Sequence, residues 1–230
     1  MRRKRPHQLI AAAFLSIGAL LVYWSLDGGG WKQLMLWPAA NCLAVGSAYF
    51  GLAGRVFGKR DDGTMRWWIV VLMLPFLLIN WATWHAQIFF SRENVLDEIV
   101  PGLFLGRRAY ERELPEAVTL IIDMTSEFPR LKYAPRRGYK SLPTLDAFVP
   151  EEGAFMELAR QAASAEGGVF IHCANGHGRS AALAAAVLLL RGVAKDVAEA
   201  ESMIVAARPA CAWHPAQRAL LQRLAAAGCK

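Results

Sequence analysis

The first ninety residues are almost free of acid. Of the 19 Asp and Glu in this 230-residue chain, only Asp27, Asp61 and Asp62 precede Ser91. Cysteine is also scarce. Four in 230 residues exclude a small secreted scaffold held by disulfides. No low-complexity linker or internal repeat interrupts the chain, and 55% hydrophobic residues exclude a disordered protein. The net charge of +7 is unevenly distributed: residues 1–90 carry 9 Lys and Arg against 3 acids, and residues 91–230 carry 17 against 16. The excess sits beside apolar runs, so the basicity gives no reason to infer a nucleic-acid partner.

Three apolar runs fill the first part, at about 9–26, 34–57 and 67–90, with no acid and only Arg55 as a base. Each approaches the ~20 residues that a helix needs to cross a bilayer. Trp24, Trp31, Trp37, Trp67, Trp68, Trp81 and Trp84 lie mostly near run ends, where interfacial aromatics are expected. Pro75 predicts a kink near 72–75. The first run ends in Tyr23-Trp24-Ser25-Leu26, with no small-x-small cleavage site, so it reads as a retained helix. Residues 1–90 are thus expected to be a three-helix, multi-pass anchor with the lipid bilayer as partner.

Arg2, Arg3, Lys4 and Arg5, with Lys59, Arg60 and Arg66, place the N-terminus in the cytoplasm by the positive-inside rule. Three crossings would put residues 91–230 on the far side. Asn80 and His85, polar residues within or near the end of the third run, are functional candidates by position, with interhelical hydrogen bonding, or for His85 plain proximity to the interface, as the simpler reading. Cys42 is expected to be a packing residue.

From Ser91 onward the pattern is that of a separate α/β domain, 91–230. Short strands are expected at 103–106, 118–123, 138–142 and 169–171, and helices at 107–117, 151–165, 180–191, 195–207 and 215–227. This order implies a mixed sheet flanked by helices. The informative segment is His172-Cys173-Ala174-Asn175-Gly176-His177-Gly178-Arg179-Ser180. A buried strand delivers a cysteine, a turn with two glycines follows, and a helix begins. Backbone N–H groups in such a turn form an anion-binding nest at the positive end of the helix. Arg179 offers a bidentate fork for phosphate oxygens, and the same fields favour a Cys173 thiolate. Together they point to a sulfur nucleophile aimed at a bound phosphate.

This His-Cys-x5-Arg-Ser segment resembles the signature of the protein tyrosine phosphatase superfamily. Pro101-Gly102-Leu103-Phe104-Leu105-Gly106 and the stretch 209–221, with His214-Pro215-Ala216-Gln217, are similar to its dual-specificity branch. The resemblance covers about 95–226 and none of the apolar part. It implies that Cys173 forms a phosphocysteine intermediate. Arg179 and the N–H groups of residues 174–179 (Ala174, Asn175, Gly176, His177, Gly178 and Arg179) would hold the phosphoryl oxygens. Ser180 would assist the leaving sulfur, and His172 would support the loop.

No metal or other cofactor is implied. Asp146, 27 residues before Cys173, is the expected general acid. Asp123, the second candidate for the acid, ends a strand and is expected to be structural; Glu151 and Glu152, remoter candidates, are expected to be first-turn helix residues. Gln217 is a candidate for orienting the attacking water, or a plain helix residue. Cys211 and Cys229 could pair with each other, or one could trap an oxidised Cys173, but unpaired thiols are expected.

Three functions fit this resemblance. One is a membrane-anchored protein phosphatase acting on phosphotyrosine or phosphoserine/threonine. Another is a lipid phosphatase for a singly phosphorylated headgroup, since the domain is similar also to phosphatidylglycerophosphate phosphatases. The third is an inactive phosphate-binding module. Phosphoinositide phosphatases often carry Lys where this chain has Ala174 and His177, a departure that weighs against polyanionic substrates. A nucleophilic thiolate persists best in a reducing compartment, which opposes the far-side topology and leaves the side of the membrane open.

Overall fold

The computed structural model describes residues 6–26, 29–52 and 56–226. The tail basic residues Arg2, Arg3, Lys4 and Arg5, the base Arg55, and Cys229 lie outside them. The chain divides into two compact units, 1–60 with 64–91, and 61–63 with 92–230.

In the first unit, α1 (Pro6–Leu26) is followed by a 3₁₀ turn (Gly30–Met35), α2 (Leu36–Ser47) and a π-helical turn (Ala48–Leu52). Two further helices, α3 (Trp67–Leu72) and α4 (Leu74–Phe90), complete it. Helices α1 and α2 pack closely at two glycines: a Cβ on Gly18 would lie 2.8 Å from Leu43, and one on Gly46 2.8 Å from Leu15.

The expectation of three spanning helices is corrected here. Among the described residues, one helix, Gln8–Leu26, is long and apolar enough to cross a membrane. The second run is divided into three short elements of different pitch. The third breaks at Met73, where φ is −92° and ψ 7°, two residues before Pro75, whose ring cannot follow a helical turn without loss of a hydrogen bond. The topology count built on three crossings falls with it.

The break leaves backbone groups to satisfy. Asn41 Nδ2 donates to Leu72 O at 2.9 Å, its Oδ1 accepts from Phe76 N at 3.2 Å, and Trp37 Nε1 also donates to Leu72 O, at 2.7 Å. Asn80 is half-buried, and His85 is exposed, edge-on to Trp84.

The second unit is a five-stranded sheet in the order β1-β2-β5-β3-β4. Its strands are β1 (Leu96–Val100), β2 (Leu103–Arg107), β3 (Val118–Thr125), β4 (Gly138–Thr144) and β5 (Gly168–Cys173). Only β1 runs antiparallel to its neighbour. The central strand β5, Gly-Val-Phe-Ile-His-Cys, is buried throughout, as a continuous apolar run in a covered parallel sheet should be.

Helices α5 (Glu152–Ala163), α6 (Arg179–Leu190), α7 (Val197–Ala207) and α8 (Pro215–Ala226) flank the sheet. The main core joins Leu105, Ile122 and Ile171 of the sheet to Phe155 of α5, Leu183 and Val187 of α6, and Leu221 of α8. Residues 107–117, expected to be a helix, form only a 3₁₀ turn at Glu111–Glu113. Glu113 takes the Tyr110 N–H and pairs with Arg107 at 2.9 Å, and this box closes a single turn.

Candidate active site

Strand β5 ends at Cys173, opposite Arg107 of β2, and α6 begins six residues later. The intervening turn passes so close to β2 that only glycine fits at 176. Its φ is +77°, and a Cβ there would overlap the carbonyl of Gly106 and lie 2.7 Å from Arg107 N.

The carbonyls of Ala174, Asn175 and Gly176 face outward. Ala174 O accepts from Arg108 N at 3.1 Å. Asn175 O accepts from Arg208 Nη2 at 3.0 Å, and Gly176 O from Arg208 Nε at 3.2 Å and Cys211 Sγ at 3.4 Å. With the carbonyls engaged outside, the N–H of Gly176 points inward, donating to Cys173 Sγ at 3.2 Å. The Ser180 hydroxyl approaches the same sulfur at 3.3 Å.

Burial alone would raise the Cys173 thiol pKa. The Arg179 charge, the Ser180 hydroxyl and the N–H groups of Ser180 and Gly176 outweigh it and hold the thiol below its ordinary value. His172 is buried behind the sulfur, its Nδ1 3.2 Å from Cys173 O. A carbonyl can only accept, so this nitrogen carries the proton. The other ring nitrogen lies 4.0 Å from Asp123 Oδ2.

Arg179 is held by Glu127, which the sequence analysis did not single out. Nη2 donates to Glu127 Oε1 at 2.8 Å, and Nη1 donates to Oε2 at 3.0 Å and to Thr144 O at 2.8 Å. Burial disfavours the guanidinium charge, but Glu127 and the Cys173 thiolate outweigh that and raise its pKa. Nε is the donor left over: it is buried and makes no hydrogen bond. Asp146 Oδ1 stands 3.4 Å from it, within ion-pair range. Asp146 is thus the acid beside the one guanidinium nitrogen that Glu127 and Thr144 leave without a hydrogen bond.

Of the two candidate acids, Asp146 is largely exposed on the loop after β4, whereas Asp123 is buried. The residue after Asp146, Ala147, has φ +57°, a conformation costly for a side chain other than glycine and often found at functional loops. Asp123 is fully engaged, accepting from Thr125 N at 2.7 Å, Thr125 Oγ1 at 2.6 Å and Tyr139 OH at 2.7 Å.

Glu151 caps α5, accepting from Gly153 N and Ala154 N, and Glu152 pairs with Arg223 at 3.3 Å. Gln217 is buried beside Gly178. Its Oε1 accepts from His214 N at 3.0 Å, and Nε2 donates to Phe148 O at 3.4 Å, which ties α8 to the Asp146 loop. Cys42, Cys173 and Cys211 are free thiols. Among the described residues, no group of three His, Cys, Asp or Glu is placed to hold a metal ion.

The second unit is similar to human DUSP28, at 27% identity and a TM-score of 0.51, covering 57% of this chain and 96% of that one. It has the dual-specificity phosphatase fold. The human tyrosine phosphatase-like serine/threonine/tyrosine-interacting protein shares the fold at 23% identity and TM-score 0.51, over 59% of this chain and 98% of that one. PTPMT1 in complex with PI(5)P shares it at 21% and 0.51, over 58% and 99%. No protein-family description and no curated protein matches the chain. Sequence reasoning missed Glu127 and Arg208 in this phosphatase-fold unit: Glu127 lies 52 positions from its partner Arg179, and Arg208 lies 33 and 32 positions from Asn175 and Gly176, whose carbonyls it holds. No local motif signals them.

Proposed function

We propose that the protein is a membrane-attached, cysteine-dependent phosphatase of dual-specificity or tyrosine protein phosphatase type. The observation that carries this reading is the buried sulfur of Cys173, which receives the N–H of Gly176 and the hydroxyl of Ser180 beside the free Nε–H of Arg179. The Cys173 thiolate attacks phosphorus, and the bond from phosphorus to the ester oxygen breaks as Asp146 gives that oxygen its proton. Arg179 and the inward N–H groups hold the equatorial oxygens, on which negative charge accumulates. In the second step Asp146 takes a proton from water, water attacks phosphorus, and the sulfur leaves as a thiolate stabilised by Ser180. The products are an alcohol or phenol and inorganic phosphate. Gln217 is suited to orient that water from its place beside Gly178.

Membrane attachment rests on α1, whose Leu9, Ile17, Leu20 and Tyr23 are left exposed, an arrangement suited to lipid contact. The same helix favours a second reading, a lipid phosphatase for a singly phosphorylated headgroup, because it would keep the site near headgroups. The test is a parallel assay of the full chain on a phosphotyrosine peptide and on a phosphatidylglycerophosphate micelle, with acid quench and mass analysis of Cys173. Phosphate release with an 80-dalton adduct on Cys173, about the mass of one phosphoryl group, supports the mechanism. Release without Cys173 dependence refutes it, and the better substrate separates the two readings.

A further inference from the structure

Within the turn 174–178, His177 is the only ionisable side chain. It is half-buried, and its Nε2 lies 2.7 Å from Glu93 Oε2. That same oxygen accepts from Arg208 Nη2 at 2.9 Å. Arg208 is 2% exposed. It is fixed further by Asp97 Oδ2 at 2.7 Å, by Asn94 O at 3.0 Å, and by its bonds to Asn175 O and Gly176 O. Glu93 is therefore held from behind by a buried guanidinium. Swinging off His177 would cost Glu93 its own bond to that guanidinium, a charge-assisted hydrogen bond.

We propose that Glu93 is a specificity-determining residue. By holding His177 it cancels the one cationic side chain that the phosphate loop offers besides Arg179, so the site takes phosphomonoesters without a second anionic group beside the reacting phosphate. The inference rests on the phosphatase reading above and narrows its substrate class. The His177–Glu93 ion pair is neutral overall, so it does not attract a second anion. Asp146, exposed beside Arg179, adds another acid on the open side. Glu93 acts through His177 and is a positioning residue in this sense.

The test compares phenyl phosphate with catechol bisphosphate, whose second phosphate lies on the adjacent ring carbon. The readout is the ratio of kcat/KM for the two substrates in the full-length protein. Glu93→Gln keeps an oxygen for Arg208 while removing the charge. At low salt it should raise the ratio in favour of the bisphosphate about five- to thirtyfold, the effect expected of one unit charge removed roughly 8 Å away near a protein surface. The gain should shrink as salt rises, and adding His177→Gln should return the ratio to that of the wild type. A loss of packing alone would lower both rates and leave the ratio unmoved. A ratio within twofold of wild type in Glu93→Gln, or one that stays raised in the double variant, overturns the proposal. A wild-type protein that turns over neither substrate fails the phosphatase reading, and this inference falls with it.

Discussion

Glu127 meets Arg179 end-on. Oε1 accepts from Nη2 at 2.8 Å and Oε2 from Nη1 at 3.0 Å, with both side chains nearly closed to solvent. Burial alone lifts the Glu127 carboxyl pKa, but the Arg179 charge and its hydrogen bonds outweigh this and hold it below the ordinary glutamate range. The pair engages both terminal nitrogens of the guanidinium and leaves Nε outside it.

Removing one partner strands the other. Glu127→Ala is expected to lower stability by about 3–5 kcal/mol, the cost of an unpaired buried charge, and to reduce kcat/KM because Arg179 loses its orientation. The folded-state carboxyl titrates below its unfolded value of about 4.3. Its contribution is thus present above that pH and lost as pH falls through the folded value. Denaturant midpoints of wild type and Glu127→Gln should converge below about pH 4. Parallel curves down to pH 3 would show that the pair does not stabilise the fold.

Asp146 and Asp123 should respond oppositely. Asp146→Ala is expected to lower kcat by about 10²–10⁴-fold on an alkyl phosphate, with a smaller loss on p-nitrophenyl phosphate, whose leaving group needs little protonation. Asp123→Ala should chiefly lower Tm, because it strands the Tyr139 and Thr125 hydroxyls. The reverse pattern would exchange their roles.

Cys173 and Cys211 should differ in thiol reactivity. Burial pushes the Cys211 thiol up to about 12, whereas Cys173 is held below its ordinary value. Iodoacetamide at neutral pH should therefore label Cys173 first, with parallel loss of phosphatase activity. Acidification should slow both labelling and turnover together, because it protonates the nucleophile. Labelling of Cys211 at an equal rate would contradict the assignment.

Gly176→Ala is expected to be severe. The added methyl overlaps the Gly106 carbonyl, and the φ of +77° is itself strained for alanine. Loss of activity together with weakened binding of vanadate, a phosphate analogue, is the expected outcome. A variant that binds vanadate as tightly as wild type would show that the turn can open without harm.

The strand–turn–helix around Cys173 is legible in the sequence because its whole logic is local: a buried strand, a cysteine, two glycines, an arginine and a helix start. Helices α5 to α8 were legible for the same reason, their periodicity and caps lying within each segment. What escaped depends on distant partners. Glu127 acquires its role from Arg179, 52 residues on, and Arg208 from backbone carbonyls of a turn that the crossover through α6 and α7 brings beside it. Strand β1, Leu-Asp-Glu-Ile-Val, is half polar and carries no clear alternation. The helix expected at 107–117 failed because the Tyr110–Glu113 box and Arg107 close one turn and no more. In the apolar part, length and hydropathy marked the runs, but the interruptions at Met73 and in the segment 48–52 depend on packing. The polar residue that bridges the first of these gaps, Asn41, was passed over within an apolar run.

The outward carbonyls of the phosphate loop have a consequence for the resting protein. Because Arg108, Arg208 and Cys211 fix the turn from outside, the proposed phosphate site needs little reorganisation to bind. A site formed in advance would also fit the product of the proposed reaction. Inorganic phosphate should bind the folded chain and not the unfolded one, so melting becomes concentration-dependent, with about 2.7 kcal/mol of added stability at a hundredfold excess over Kd. The resting enzyme would then act as a thermal sensor of the phosphate around it.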